Sequence, residues 1–102
     1  MSENLPSSLR LRVIAPRKLL VDEEVKEVSL PSLEGYLGIL PGHRSLLTAL
    51  GKGTITFQTA KREEKFSVQG GYAEIHPDRI LVFTELVENE TEQQVERQGR
   101  DS

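Results

Sequence analysis

Cysteine and tryptophan are both absent from this chain of 102 residues, and aromatic residues of every kind make up only 5% of it. Without cysteine there is neither a disulfide framework nor a thiolate metal site. No run of about 18 apolar residues occurs, so no segment has the length of a membrane-spanning helix. Histidine is scarce too. His43 and His76 are the only imidazoles, and no carboxylate stands at a recognisable ligand spacing from either, so no metal centre is expected. The opening segment, MSENLPSSLR, has neither the apolar stretch of a signal peptide nor the Arg-rich character of a transit peptide. With Pro6 and the Ser7-Ser8 pair it reads as a flexible segment over residues 1–8. The cytosol, or the cytosolic face of a membrane, is the expected setting.

An excess of basic charge is also missing. The net charge is −3, and it is unevenly placed. Of 16 acids and 13 bases, five acids and two bases fall in residues 88–102, so the first 87 residues balance at eleven of each sign. A balanced body with an acidic tail argues against nucleic acid, which requires a basic patch. Arg10, Arg12, Arg17 and Lys18 are only mildly basic as a group, with Asp22, Glu23 and Glu24 beside them.

What is present is a series of short strands. Leu9, Leu11 and Val13 alternate with Arg10, Arg12 and Ile14, the period of a half-buried strand. Leu19 to Val21 starts a second strand, and Val25, Val28 and Leu30 mark a third. The spacing from Val25 to Val28 breaks alternation, and either a β-bulge or a short turn would explain it. Residues 45–50, SLLTAL, are apolar but too short to be assigned as a helix. Thr54 to Thr59 alternates and is rich in β-branched residues. Phe66 and Val68 share one face of the next strand. Ala73 and Ile75 point inward from another, and Ile80 to Phe83 is a continuous apolar run suited to a strand covered on both faces. Turns every eight to twelve residues, as at His76-Pro77-Asp78-Arg79, indicate an all-β domain. The expected fold is a β-sandwich or flattened barrel of short, mostly antiparallel strands over residues 9–87. Residues 88–102 carry Val95 as their one aliphatic side chain and read as a polar tail, mobile or the start of a short helix.

The densest backbone signal is residues 33–47, LEGYLGILPGHRSLL. Gly35, Gly38, Pro41 and Gly42 shape this segment, since glycine admits positive φ and proline fixes φ near −65°. Pro41-Gly42 fits the centre of a type II turn. Leu37, Ile39 and Leu40 are expected to anchor the loop, and Tyr36, His43 and Arg44 to face outward. Such a loop, defined in shape and poor in chemistry, suggests a docking surface.

Catalysis has little to draw on. General acid–base work by His43 needs a positioned partner and a pocket, and Glu34 is the nearest acid in sequence, across a loop built of glycines. His43, Ser45 and Asp22 can be assembled into a triad on paper, but no strand–elbow–helix signature surrounds Ser45. Gly70-Gly71 leads into a strand, whereas phosphate-binding loops lead into a helix.

The run Glu34 to His43, EGYLGILPGH, followed by Leu46-Leu47-Thr48, resembles the signature of the epsilon subunit of rotary F-type ATP synthases, the equivalent of the mitochondrial delta subunit. Leu11 to Pro16, Gly53-Thr54-Ile55, Gly70 to Ile75 and Ile80 to Glu85 match further motifs of that family in the same order, over about residues 9 to 88. The resemblance implies a non-catalytic, cofactor-free β-sandwich in the central stalk. It would join the gamma subunit to the membrane rotor ring and couple ion-driven rotation to ATP synthesis. It also implies a peripheral position at the cytoplasmic face of a bacterial inner or plasma membrane, without insertion. Tyr36, His43, Arg44 and Ser45 are then the candidate ring-facing residues. Family members commonly have proline where Ser45 stands. They also usually continue into a C-terminal helical hairpin, which is not expected here, so inhibition and nucleotide binding are not carried over. The other readings of the sequence are a stand-alone β-sandwich that binds a protein, and a small hydrolase using His43.

Overall fold

The computed structural model describes residues 6–89, and these form ten strands, numbered in chain order, and no helix. One sheet runs in the order β2 (Lys18–Val25), β1 (Leu9–Ala15), β9 (Arg79–Phe83), β8 (Tyr72–Ile75), β5 (Leu46–Ala49). The second runs β10 (Leu86–Asn89), β7 (Glu63–Gln69), β6 (Lys52–Gln58), β3 (Glu27–Ser32), β4 (Gly35–Ile39). The two sheets pack as an all-β sandwich. Every pairing is antiparallel except β1 with β9, which is parallel.

Alternation in sequence becomes alternation in burial. Leu9, Leu11 and Val13 are fully buried while Arg10 and Arg12 between them are exposed. Ile80 and Val82 join them from β9, and Ala73 and Ile75 from β8. The second sheet answers with Val28, Leu30, Ile55, Phe57, Phe66 and Val68. The rings of Phe57 and Phe66 meet edge to face, with centroids 6.0 Å apart, a favoured aromatic arrangement.

Several local points are settled by the structure, some of them against expectation. The apolar segment at residues 45–50 is strand β5, at the edge of its sheet. The break between Val25 and Val28 is a short bend at Lys26, which separates β2 from β3. The bulge lies elsewhere, between Val13 and Ile14 opposite β2. Strand β9 is covered on one face only, since Leu81 and Phe83 are half-buried. Strand β10 runs to Asn89, two residues beyond the sandwich boundary expected at residue 87. Most of the expected flexible segment and polar tail, residues 1–5 and 90–102, lies outside the described residues.

One corner of the sandwich is built around Pro31. Strand β3 pairs with β6 only from Glu27 to Ser29. Proline offers no N–H to a ladder, and beyond Ser29 the strand leaves β6 and turns to the other sheet. The Pro31 carbonyl accepts the Gly51 N–H at 2.9 Å, and Ser32 bridges to Leu50. The hydroxyl of Tyr36 accepts the Thr54 N–H at 2.9 Å beside this divergence. Gly53 leaves room for it: a Cβ there would lie 2.6 Å from the Tyr36 hydroxyl and 2.7 Å from the Pro31 Cβ.

Candidate docking site

Strands β4 and β5 are outer strands of the two sheets, joined by residues 40–45, and the Ser32–Leu50 bridge ties the end of β3 to the residue after β5. Together they make one rim of the sandwich. Residues 35–51 along this rim contain a single full charge, Arg44. Four large apolar or aromatic side chains here are exposed, Tyr36 (62%), Leu40 (58%), Leu46 and Leu47, and Leu33 (70%) adds to them from the turn before β4, beside Glu34.

The loop at the centre of the rim is shaped as its sequence requires. Gly42 has φ of 90°, and the Leu40 carbonyl accepts the His43 N–H at 3.1 Å, the closing bond of a turn with Pro41-Gly42 at its centre. The Gly42 N–H donates to the Pro77 carbonyl at 2.8 Å, which ties this turn to the one between β8 and β9. The ring of His43 is half-buried, and its Nδ1 donates to the Arg44 carbonyl at 2.7 Å. That bond consumes one ring nitrogen in bracing the loop. Arg44 and Ser45 are exposed, and Arg44 has no ion-pair partner among the described residues. Ile39 is buried and Leu37 packs against the core, as expected of anchors. Leu40 is not an anchor: alternation along β4 sends it outward once Ile39 points in.

The four candidate residues do not converge. His43, Arg44 and Ser45 follow the C-terminal end of β4, whereas Tyr36 sits near its start. A strand advances about 3.3 Å per residue, so the rim is an extended strip rather than a pocket. Ser45 and Asp22 lie on different rims, since Asp22 belongs to β2 at the far side of its sheet. The elements therefore do not assemble a His43–Ser45–Asp22 triad. Among the described residues no group of three or more potential ligands could hold a metal ion, and no helix is long and apolar enough to cross a membrane.

A second exposed apolar surface went unread in the sequence. Leu19, Ile14, Phe83, Tyr72 and Ala49 stand in register across all five strands of the first sheet. The rings of Tyr72 and Phe83 stack with centroids 5.0 Å apart. They line a cavity of about 340 Å³ with Ile14, Ala15 and Pro16. Only the register of five strands brings these residues together.

Comparison with known proteins places this geometry. Residues 8–90 match the family described as ATP synthase, Delta/Epsilon chain, beta-sandwich domain. The chain is 40% identical over 93 residues to the ATP synthase epsilon chain of Solibacter usitatus, covering 91% of this chain and 69% of that one. It is 37% identical over 98 residues to the epsilon chain of Moorella thermoacetica, covering 93% and 73%. It is 42% identical over 81 residues to that of Prochlorococcus marinus strain MIT 9211, covering 79% and 60%. The chain thus spans 60 to 73% of the length of these relatives. Two solved structures share the fold. One is the cryo-EM structure of the Euglena gracilis mitochondrial ATP synthase, OSCP/F1/c-ring, in rotational state 1, with TM-score 0.80, 18% identity and coverage of 95% of this chain and 65% of that one. The other is the Tetrahymena thermophila mitochondrial ATP synthase central stalk and c-ring, with TM-score 0.70, 15% identity and coverage of 82% and 68%.

Proposed function

The chain belongs to the delta/epsilon chain family of ATP synthases, and from that premise we propose that it is a central-stalk subunit of an F-type ATP synthase. It joins the gamma subunit to the membrane rotor ring, so that ion-driven rotation of the ring turns the stalk and is coupled to ATP synthesis. The match to the family over residues 8–90, nearly the whole described domain, carries this reading. The subunit is non-catalytic, and its place is peripheral, at the cytoplasmic face of a bacterial membrane. A stand-alone binding module is not favoured. A subunit that holds two partners at once needs two surfaces, and the charge-poor rim and the apolar row of the first sheet supply two.

Within this reading the rim faces the ring. His43, Arg44 and Ser45 crown its loop, and Tyr36 flanks it near the start of β4. The experiment is reconstitution of the chain with the synthase of its source organism stripped of this subunit. Restoring the chain is expected to restore coupling of ATP hydrolysis to ion pumping. The double variant Arg44→Ala with Ser45→Ala, both exposed, is expected to melt within a few degrees of wild type, because exposed loop changes are usually small, and to restore less pumping. Failure of the wild-type chain to bind the stripped complex would sink the central-stalk reading. Full pumping by the variant would remove the loop from the ring interface.

A further inference from the structure

Gly38 is a glycine for which the fold has no use. It lies inside strand β4, where glycine weakens a strand and usually marks a bulge, a bend or a close approach from outside. The β3–β4 register runs unbroken from Val28–Ile39 to Ser32–Gly35, so there is no bulge at Gly38. Its φ is not positive, unlike that of Gly35, Gly42, Gly70 and Gly71. A Cβ at position 38 would meet nothing within 4 Å. Gly53, by contrast, is held by the Tyr36 hydroxyl and Pro31, as described above. Close approach from outside the chain is the remaining reason.

The surroundings of Gly38 say what approaches. Tyr36 and Leu40 stand two residues to either side of it, on the same face by alternation, and both are exposed. Its cross-strand neighbours are small: Ser29 on β3, then Thr56 on β6. Gly38 is thus the floor of a notch between two apolar walls. Ser29, Thr56, Ile39 and Leu40 also line a cavity of about 80 Å³. Glu27 and Glu63 rim that cavity, which disfavours an anionic lipid headgroup or a phosphate backbone. The rim around the notch carries one charge in seventeen residues, Arg44, and the two walls of the notch, Tyr36 and Leu40, carry none.

We propose that the notch over Gly38, between Tyr36 and Leu40, is a socket for one large apolar side chain, the size of leucine or phenylalanine, presented by a protein partner in the assembled stalk. This rests on the central-stalk reading and adds to it a point of close packing. The side chain enters over the face of β4, and a methyl group at position 38 occupies the space it needs. Gly38 is then a specificity-determining residue of the interface and contributes nothing to the isolated domain.

Gly38→Ala and Gly38→Val test this directly. In the isolated chain both variants are expected to fold, and Val is expected to raise the melting temperature by about 2–8 °C, because a β-branched residue replaces glycine in an open strand position. Binding to the stripped synthase complex is expected to weaken in the order Ala, then Val, with Val losing roughly tenfold or more, as an overfilled packed site does. Higher stability combined with weaker binding is a pairing that a structural role for Gly38 would not produce. A lowered melting temperature for either variant would show that the fold needs this glycine and would overturn the socket. Wild-type binding with Val within twofold of it would overturn the socket and leave the central-stalk reading standing. No binding by the wild type would overturn both.

Discussion

The two rims of this sandwich solve the same problem in opposite ways. An outer strand exposes unpaired backbone groups, and proteins guard such edges with charges, bulges or a cover. The β2 rim is guarded. Arg10 and Arg12 share the Asp22 carboxylate at 2.7 and 3.2 Å. Arg62, from the hairpin between β6 and β7, reaches across to Glu23 at 2.8 Å and also pairs with Glu64. The bulge between Val13 and Ile14 adds a twist against β2. The rim of β4 and β5 has none of this. Its strands read GYLGI and LLTA, without one charge, and Leu40, Leu46 and Leu47 face solvent. Two edges on one core, one charged and one bare, fit the proposal that the bare edge is the one covered in the assembled stalk.

That comparison requires both rims to hang on one shared core. Phe57 is 2% exposed and touches Phe66 across β6 and β7. Phe57→Ala is expected to cost about 3–5 kcal/mol, the transfer term plus the cavity left behind. Chemical denaturation measures it. A loss below about 0.5 kcal/mol, the range of surface changes, would place the ring outside the core and undo the register on which both rims are defined.

The contrast between the rims is sharpened by charging the bare one. Leu40→Asp together with Leu47→Asp puts two carboxylates on side chains that already face water, so each is expected to change stability by no more than about 0.5 kcal/mol. Burying those carboxylates against a partner is another matter, because an unpaired buried charge is costly. Affinity for the stripped synthase complex is expected to fall by about thirtyfold or more, the scale of an interface hot spot. Unchanged affinity would mean that the bare rim stays bare in the complex.

What the sequence revealed of this architecture divides along the same lines. Strands β1, β6 and β7 were legible because one buried face imposes a period of two, as in Leu9, Leu11 and Val13. The turn at Pro41-Gly42 was legible because its chemistry is local. Strand β5 was not, since at an edge Leu46 and Leu47 are both exposed and no alternation survives. Strand β10, with the short mixed sequence LVEN, carries too little pattern to stand alone. Leu40 was misread as an anchor because apolar character alone does not say which way an edge residue points. The tie from Tyr36 to Thr54 spans 18 residues, and the apolar row of Leu19, Ile14, Phe83, Tyr72 and Ala49 depends on register across five strands. Neither is a property of any short segment. Gly38 was read as a loop-shaping glycine from its neighbours, and what separates it from the others is open space above it together with a φ that is not positive.

The smallest expected effect lies on the guarded rim. The hydrogen bond from Arg10 holds the Asp22 carboxyl below its usual range, with Arg12 adding to it. A carboxylate whose folded pKa lies below its unfolded value, about 3.9, contributes stability that is fully present above that value. The contribution is lost as pH falls through the folded pKa. Asp22→Asn is therefore expected to lower the melting temperature slightly at pH 7. The difference from wild type is expected to shrink below about pH 4 and in high salt, since these groups are exposed and screened. Binding to the stripped synthase complex is expected to be unchanged, because the ion pairs of this rim are made within the chain. Thermal melts across pH and salt, with the binding measurement beside them, check both halves. A melting difference that persists at pH 2 would mean Asp22 acts through something other than its charge. A loss of binding as large as that from the Leu40 and Leu47 changes would make the charged edge an interface too, and the two rims would no longer be opposites.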